Sequence, residues 1–214
     1  MRSLVSASLV NVTIDDTFGD ASNGAQIIYE PDSVWNIGNN CAACTAHPDP
    51  GLVYDGTWHD GTTQLGSEDL LTAAVGFSGV AVYVFCVVTR SEVSPDGNSD
   101  MSFFIDGEQA GQYVVPPDGD TSYAYNVPVF VKDGLAAGSH QLLIVNGRTG
   151  GNKSLVLLDY IIYSHRFVAY SFYKGLFATV LHNATILHNI SVRRAFNHIH
   201  ISTSGVSFII THGP

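Results

Sequence analysis

The stretch "NNCAACTAHPDPGLVYDGTWHDGT", residues 39–62, gathers two cysteines, two histidines, three aspartates and a tryptophan into two dozen positions. Cys41-x-x-Cys44 has the spacing of a redox pair or of half a zinc site, and Cys41, Cys44, His47 and His59 would together make four zinc ligands. Neither chemistry has its usual frame here. A redox CxxC acts at the start of a helix in an α/β context, whereas this one lies among Asn, Gly and Pro. For zinc only the CxxC spacing fits and no second paired motif follows, so no metal site is expected. A local Cys41–Cys44 disulfide remains. The chain-entropy model gives its four-residue loop about 2 kcal/mol, against about 4 kcal/mol for a Cys41–Cys86 bridge closing roughly 46 residues. Cys86 lies inside the apolar run "VYVFCVV", where an unpaired thiol behaves as a small hydrophobe. The local pairing is therefore expected, with the longer bridge as its alternative.

"GTWHDGT" raises acid–base catalysis, because His59 adjoins Asp60. On a strand, however, adjacent side chains point to opposite faces, and Trp58 and Asp60 share one. No G-x-S-x-G elbow occurs, and no second carboxylate is identified as a partner. No catalytic residue and no cofactor are expected. Binding asks for less: an aromatic platform of Trp35, Tyr54 and Trp58 with Asp55 and Asp60 as polar neighbours. In the competing reading Trp35 and Trp58 fill a core and the acids form turns.

These residues must be positioned by strands. Val, Ile, Thr, Tyr, Phe, Gly and Ser dominate, while helix formers are scarce. "VNVTI" alternates and runs into the acidic turn "DDTFGD". "AVGF-SG-VAVYVFCVV" reads as two strands joined at Ser78-Gly79. "MSFFIDGEQAGQYVV" reads as a hairpin about Asp106-Gly107, the pair a type I′ turn favours. "TSYAYNVPVFV" alternates, with Pro128 marking an edge strand or bulge. "GSHQLLIVN" and "SLVLLDYIIY", separated by the Gly-rich hairpin loop "GRTGGNK", read as central strands. Eight or nine short strands at about 8–12-residue spacing predict an all-β protein, an antiparallel β-sandwich or jelly roll, with an irregular C-terminal tail.

The net charge of −10 argues against nucleic acid as a partner. All 19 acidic residues lie at or before Asp159, whereas residues 165–214 hold four basic residues, no acid and six of the nine histidines. The expected organisation is therefore a degenerate signal segment over 1–9, a sandwich domain over 10–164, and a His-rich basic tail over 165–214 outside the domain. No run reaches the ~20 apolar residues of a membrane span. Sequons at Asn11 and Asn152 are the candidate glycosylation sites; two more, at Asn183 and Asn189, fall in the tail.

The run "SFFIDGEQAGQY", "YNVPVF", "LAAGSHQLLIV…SLVLLDYIIY" resembles the second half of a galactose-binding-like jelly roll, a fold shared with many carbohydrate-binding modules. There, a G-x-H-x-L strand pairs with a closing L-D-Y strand. With "NVTIDD", "CAAC", "GTWHDGT" and "VAVYVFC" ahead of it, the chain over 10–164 further resembles a group of surface proteins of mushroom-forming fungi. That group has no assigned activity. The resemblance implies an extracellular or cell-surface ectodomain with a carbohydrate, such as cell-wall glycan, or another surface protein as partner. Weaker is the implication of a glycan-active hydrolase. Members typically carry a signal peptide and one membrane span. This chain departs from them in its weak signal segment and in the His-rich tail where the span would begin.

Overall fold

A computed structural model describes the backbone of residues 3–172, 179–181, 191–195, 198–203 and 206–211, and side chains within 8–167. The sequons at Asn183 and Asn189 lie outside the described residues. The chain divides into two units, Asn11–His165 and a second formed by Met1–Val10 with Arg166–Pro214. In the second unit, β12 (Thr179–Leu181) precedes β13 (Ser191–Ala195), β14 (His198–Thr203) and β15 (Val206–Thr211), and these last three pair antiparallel in that order. Short strands thus occupy described parts of a tail whose sequence shows no sustained period.

The first unit is an antiparallel sandwich. In chain order its strands are the end of β1 (Ser3–Asp15), β2 (Ile28–Glu30), β3 (Asn36–Ile37), β4 (His59–Thr63), β5 (Leu71–Gly79), β6 (Ala81–Arg90), β7 (Ser99–Ile105), β8 (Glu108–Val115), β9 (Asp120–Lys132), β10 (Gly138–Asn146) and the first part of β11 (Ser154–Phe172). One sheet runs β3-β4-β11-β6-β9 with β1 beside β11; the other runs β2-β5-β10-β7-β8. From β4 to β11 the chain crosses repeatedly between them, the connection pattern of a jelly roll. Among the described residues no helix is long and apolar enough to cross a membrane.

Alternation sets the core. Val82, Val84, Cys86 and Val88 of β6 face inward against Leu71, Ala73, Val75 and Phe77 of β5, Met101, Phe103 and Ile105 of β7, and Leu142 and Ile144 of β10. Asp106 (φ 53°) and Gly107 (φ 85°) form the expected left-handed turn between β7 and β8. Pro128 lies on β9, the last strand of its sheet, beside a register shift at Val84/Phe85. Both effects follow from its missing N–H.

Two expectations are corrected. "GRTGGNK" is not a hairpin loop, and the G-x-H-x-L strand does not pair with the L-D-Y strand. β10 pairs with β5 and β7, whereas β11 pairs with β4 and β6 in the opposite sheet. The loop carries the chain over one end of the sandwich, helped by left-handed Gly147 and Gly150. Asn146 fixes that end, its side-chain amide donating to the carbonyls of Gly61 and Ser154.

Candidate ligand-binding face

Residues 38–58 hold no regular element longer than a single 3-10 turn, yet they form a second small core on the outer face of the β11 sheet. Trp58, 2% exposed, packs there with Ala46 and Val53 of the loop and Val87, Leu155 and Leu157 of the sheet. Two residues apart on β9, Tyr123 and Tyr125 present the same face. Their hydroxyls accept the N–H groups of His47 (2.9 Å) and Asp49 (2.8 Å) and pin the loop. A Cβ at Gly38 would overlap the Trp58 indole, so glycine there lets backbone meet ring. The Cys41–Cys44 disulfide closes one bend of this loop with Cα atoms 5.3 Å apart, while Cys86 is unpaired and buried in the main core.

Trp35 also lies within a core, 8% exposed, its ring 4.9 Å from that of Tyr29 and its Nε1 donating to the Glu30 carbonyl. Asp60 is 6% exposed and opposite Leu157 on the outer face. Burial raises its pKa to about 6, with His47 and Lys153 pulling the other way.

The loop leaves part of the outer face open. Register places Tyr160, Phe85 and Pro128 in one row across β11, β6 and β9, and Ile162, Tyr83 and Val131 in the next. Tyr160 and Phe85 stack at 4.6 Å with an interplanar angle of 14°. Tyr54, delivered by the turn Tyr54–Gly56, leans on Tyr160 at 5.2 Å and 43°. It is 39% exposed, and Pro128 and Val131 are exposed beside these rings. Polar groups flank the patch. The Tyr160 hydroxyl donates to Asn126 Oδ1 (3.1 Å), Asn126 takes a left-handed φ of 54°, and the exposed Asp55 follows Tyr54.

Behind Tyr54 lies a buried acidic node. Asp159 is displaced by the register shift between Leu158 and Tyr160 on β11. One of its oxygens accepts the Tyr54 N–H (2.9 Å); the other is buried with no hydrogen-bond partner. Asp16 accepts from Thr57 Oγ1 (2.6 Å), and its second oxygen lies 2.7 Å from His59 Nδ1. The His59 ring in turn stacks on Tyr29 at 3.9 Å. Asp15 caps the turn through the N–H groups of Thr17 and Phe18, while its Oδ2 is buried and unpartnered. Burial pushes the Asp159 pKa up to about 7 against the pull of the Tyr54 N–H, with Asp16 and Asp15 reinforcing the rise. Burial also raises Asp15, against the pull of its two backbone hydrogen bonds. Among the described residues no group of three or more His, Cys, Asp or Glu side chains is placed to hold a metal ion.

No protein-family model matches the chain, and no curated protein matches it. Solved structures do. A family two carbohydrate esterase from Clostridium thermocellum, in complex with cellohexaose, is 15% identical over 58% of this chain (TM-score 0.30). An exo-β-1,3-galactanase from Phanerochaete chrysosporium with β-1,3-galactotriose is 12% identical over 72% (TM-score 0.40). The catalytic domain of a GH87 α-1,3-glucanase with nigerose is 13% identical over 73% (TM-score 0.35). The chain spans 28–29% of the length of these three. What those proteins bind or cut is a property of those proteins.

Of the five residues the sequence marks for binding, Tyr54 and Asp55 stand at the open face. Trp35, Trp58 and Asp60 are enclosed, and the two indoles belong to different cores. Tyr160, Phe85 and Asn126 escape sequence reasoning because only strand register brings them beside Tyr54. The acidic node did leave a signal: Asp159 is a lone acid in the apolar run "LVLLDYIIY", and such an acid needs a buried partner or a proton. Asn152 is exposed in the loop between β10 and β11; Asn11 is exposed, with its Oδ1 accepting from Ser164.

Proposed function

We propose that this chain is a non-catalytic carbohydrate-binding domain whose site is the face formed by Tyr54, Tyr160 and Phe85. The observation that carries this reading is the exposed Tyr54 ring tilted against the stacked Tyr160–Phe85 pair on an open sheet. Tyr160 and Phe85 turn their faces to each other and brace Tyr54, whose exposed ring can take the C–H face of a pyranose; the sugar's rim hydroxyls need mixed donors and acceptors of the kind that Asn126 and the tyrosine hydroxyls offer. Asp55 and the net charge of −10 favour a neutral glycan over an acidic one. A secreted or cell-surface setting is supported by the disulfide, since such bonds persist in oxidising compartments.

The test is titration of the whole chain against a panel of neutral oligosaccharides by calorimetry. At least one should bind, and Tyr54→Ala and Tyr160→Ala should each lower affinity about tenfold, or ~1.4 kcal/mol. Melting of Tyr54→Ala should stay near wild type, because its ring covers no core. A panel without a binder at millimolar concentration would sink the reading, as would an unchanged affinity in both variants.

A further inference from the structure

Tyr54 is the one ring of the open face that comes from a loop rather than a strand, so its place depends on what holds the turn Tyr54–Gly56. The turn has left-handed residues at Asp55 (φ 46°) and Gly56 (φ 75°). It is tied to the sheet by the Tyr54 N–H donated to Asp159, and at its far end by the Thr57 hydroxyl donated to Asp16. Both acceptors are buried carboxylates, and Asp15 lies close enough to raise the pKa of Asp159. The ionisable groups around Asp159 and the adjoining Asp15 and Asp16 come from every neighbouring element. Asp15 and Asp16 belong to the end of β1 and its turn, Tyr29 to β2, Tyr54 and Asp55 to the loop, His59 to β4, Cys86 to β6 and Tyr160 to β11. His59, bound to Asp16, is the one group of this set that can carry positive charge. Three carboxylates facing a single imidazole cannot all ionise cheaply out of water.

We propose that Asp159 is the positioning residue of the aromatic face, holding Tyr54 over Tyr160 through the Tyr54 amide while its carboxyl is protonated and releasing the turn when it ionises. The inference rests on the reading of that face as a glycan site for its consequence, but not for its first test. The Tyr54 N–H by itself favours the carboxylate, but burial and the facing Asp16 and Asp15 outweigh it in the docked form. Opening the turn admits water to Asp159, so the open form favours the carboxylate and the docked form the acid. The docked fraction is therefore highest at acid pH. It falls as pH rises from the ordinary aspartate value of 3.8 through about 7, and levels off above that. Asn at position 159 keeps an oxygen for the Tyr54 N–H and cannot ionise, which should abolish the dependence.

Two measurements on the full chain test this. The first, made without glycan, is the exchange protection factor of the Tyr54 amide at pH 5 and pH 8. It should fall at least ~tenfold in the wild type, stay level in Asp159→Asn, and fall less in Asp16→Asn, where one facing charge is gone. The second is the affinity for the best panel glycan, which should follow the same pattern. Equal wild-type protection at the two pH values, or the same fall in Asp159→Asn, overturns the proposal. Glycan binding with a flat protection profile leaves the glycan reading standing and removes the positioning role. A falling profile with no glycan bound at either pH does the reverse. If Asp159→Asn fails to fold, Asp16→Asn decides: an unaltered slope there overturns the proposal.

Discussion

His140 has an acceptor at each ring nitrogen: the Asp106 carboxylate 2.7 Å from Nδ1 and the Ala136 carbonyl 2.7 Å from Nε2. Neither acceptor donates, so this geometry favours the imidazolium, with a proton on each nitrogen, over the neutral ring. Burial opposes that charge, but the Ala136 carbonyl and Asp106 outweigh it and hold the pKa above the ordinary 6.5. Asp106 is held below its usual range by His140 and by the Gln141 N–H. The two shifts define a window. The His140 contribution is complete below 6.5 and lost as pH rises through its raised value. The Asp106 contribution is present above 3.8 and lost as pH falls through its lowered value. Asp106→Asn should therefore lower the melting temperature most near pH 5–6, and by little at pH 9. An equal drop at both would show that the carboxylate acts without the imidazolium.

At the scale of elements, the loop 38–58 owes its order to what it covers. Its own 3-10 turns span three residues each, too few to hold a shape alone. Trp58 is the anchor that closes it over Val87, Leu155 and Leu157. Trp58→Ala should cost about 3–5 kcal/mol in urea unfolding, the range for emptying a large buried ring. Trp58→Phe should cost clearly less, because the buried Nε1–H has no hydrogen-bond partner to lose. Near-wild-type stability in the alanine variant would mean that the loop does not form the second core. The same loop then presents Tyr54 at its far end, so packing at Trp58 and exposure at Tyr54 belong to one covalent segment.

Over the whole molecule, three buried carboxylates are pushed the same way. Asp159 (about 7), Asp60 (about 6) and Asp15 are all raised above 3.8, in each case chiefly by burial. Such groups hold more protons folded than unfolded, so their contribution is complete below 3.8 and is lost as pH rises toward 6–7. The raised His140 acts in the same direction. The melting temperature should therefore fall between pH 4.5 and pH 8, and Asp159→Asn should flatten that fall. A melting temperature that climbs over the same interval would show that the node is ionised and compensated in the folded state.

Strand positions were legible in the sequence wherever one face is buried. The alternation of β6, the Asp106-Gly107 turn and the edge role of Pro128 are local properties of backbone and side chain. The Cys41–Cys44 pairing was legible too, because Cys86 sits in an apolar run that becomes core. What local pattern could not supply is which sheet each strand joins, so β10 and β11 read as a hairpin although they lie in opposite sheets. Nor could it supply which face of a sheet a loop will cover. That choice enclosed Trp58 and left Tyr160 and Phe85 open, and it brought His59 to Asp16, 43 positions away, rather than to its neighbour Asp60. The sequence alone determined an all-β chain with a stapled loop and turns in known places. Tertiary structure decided the site, because register and loop coverage are set by contacts between residues far apart in the chain, which no local period encodes.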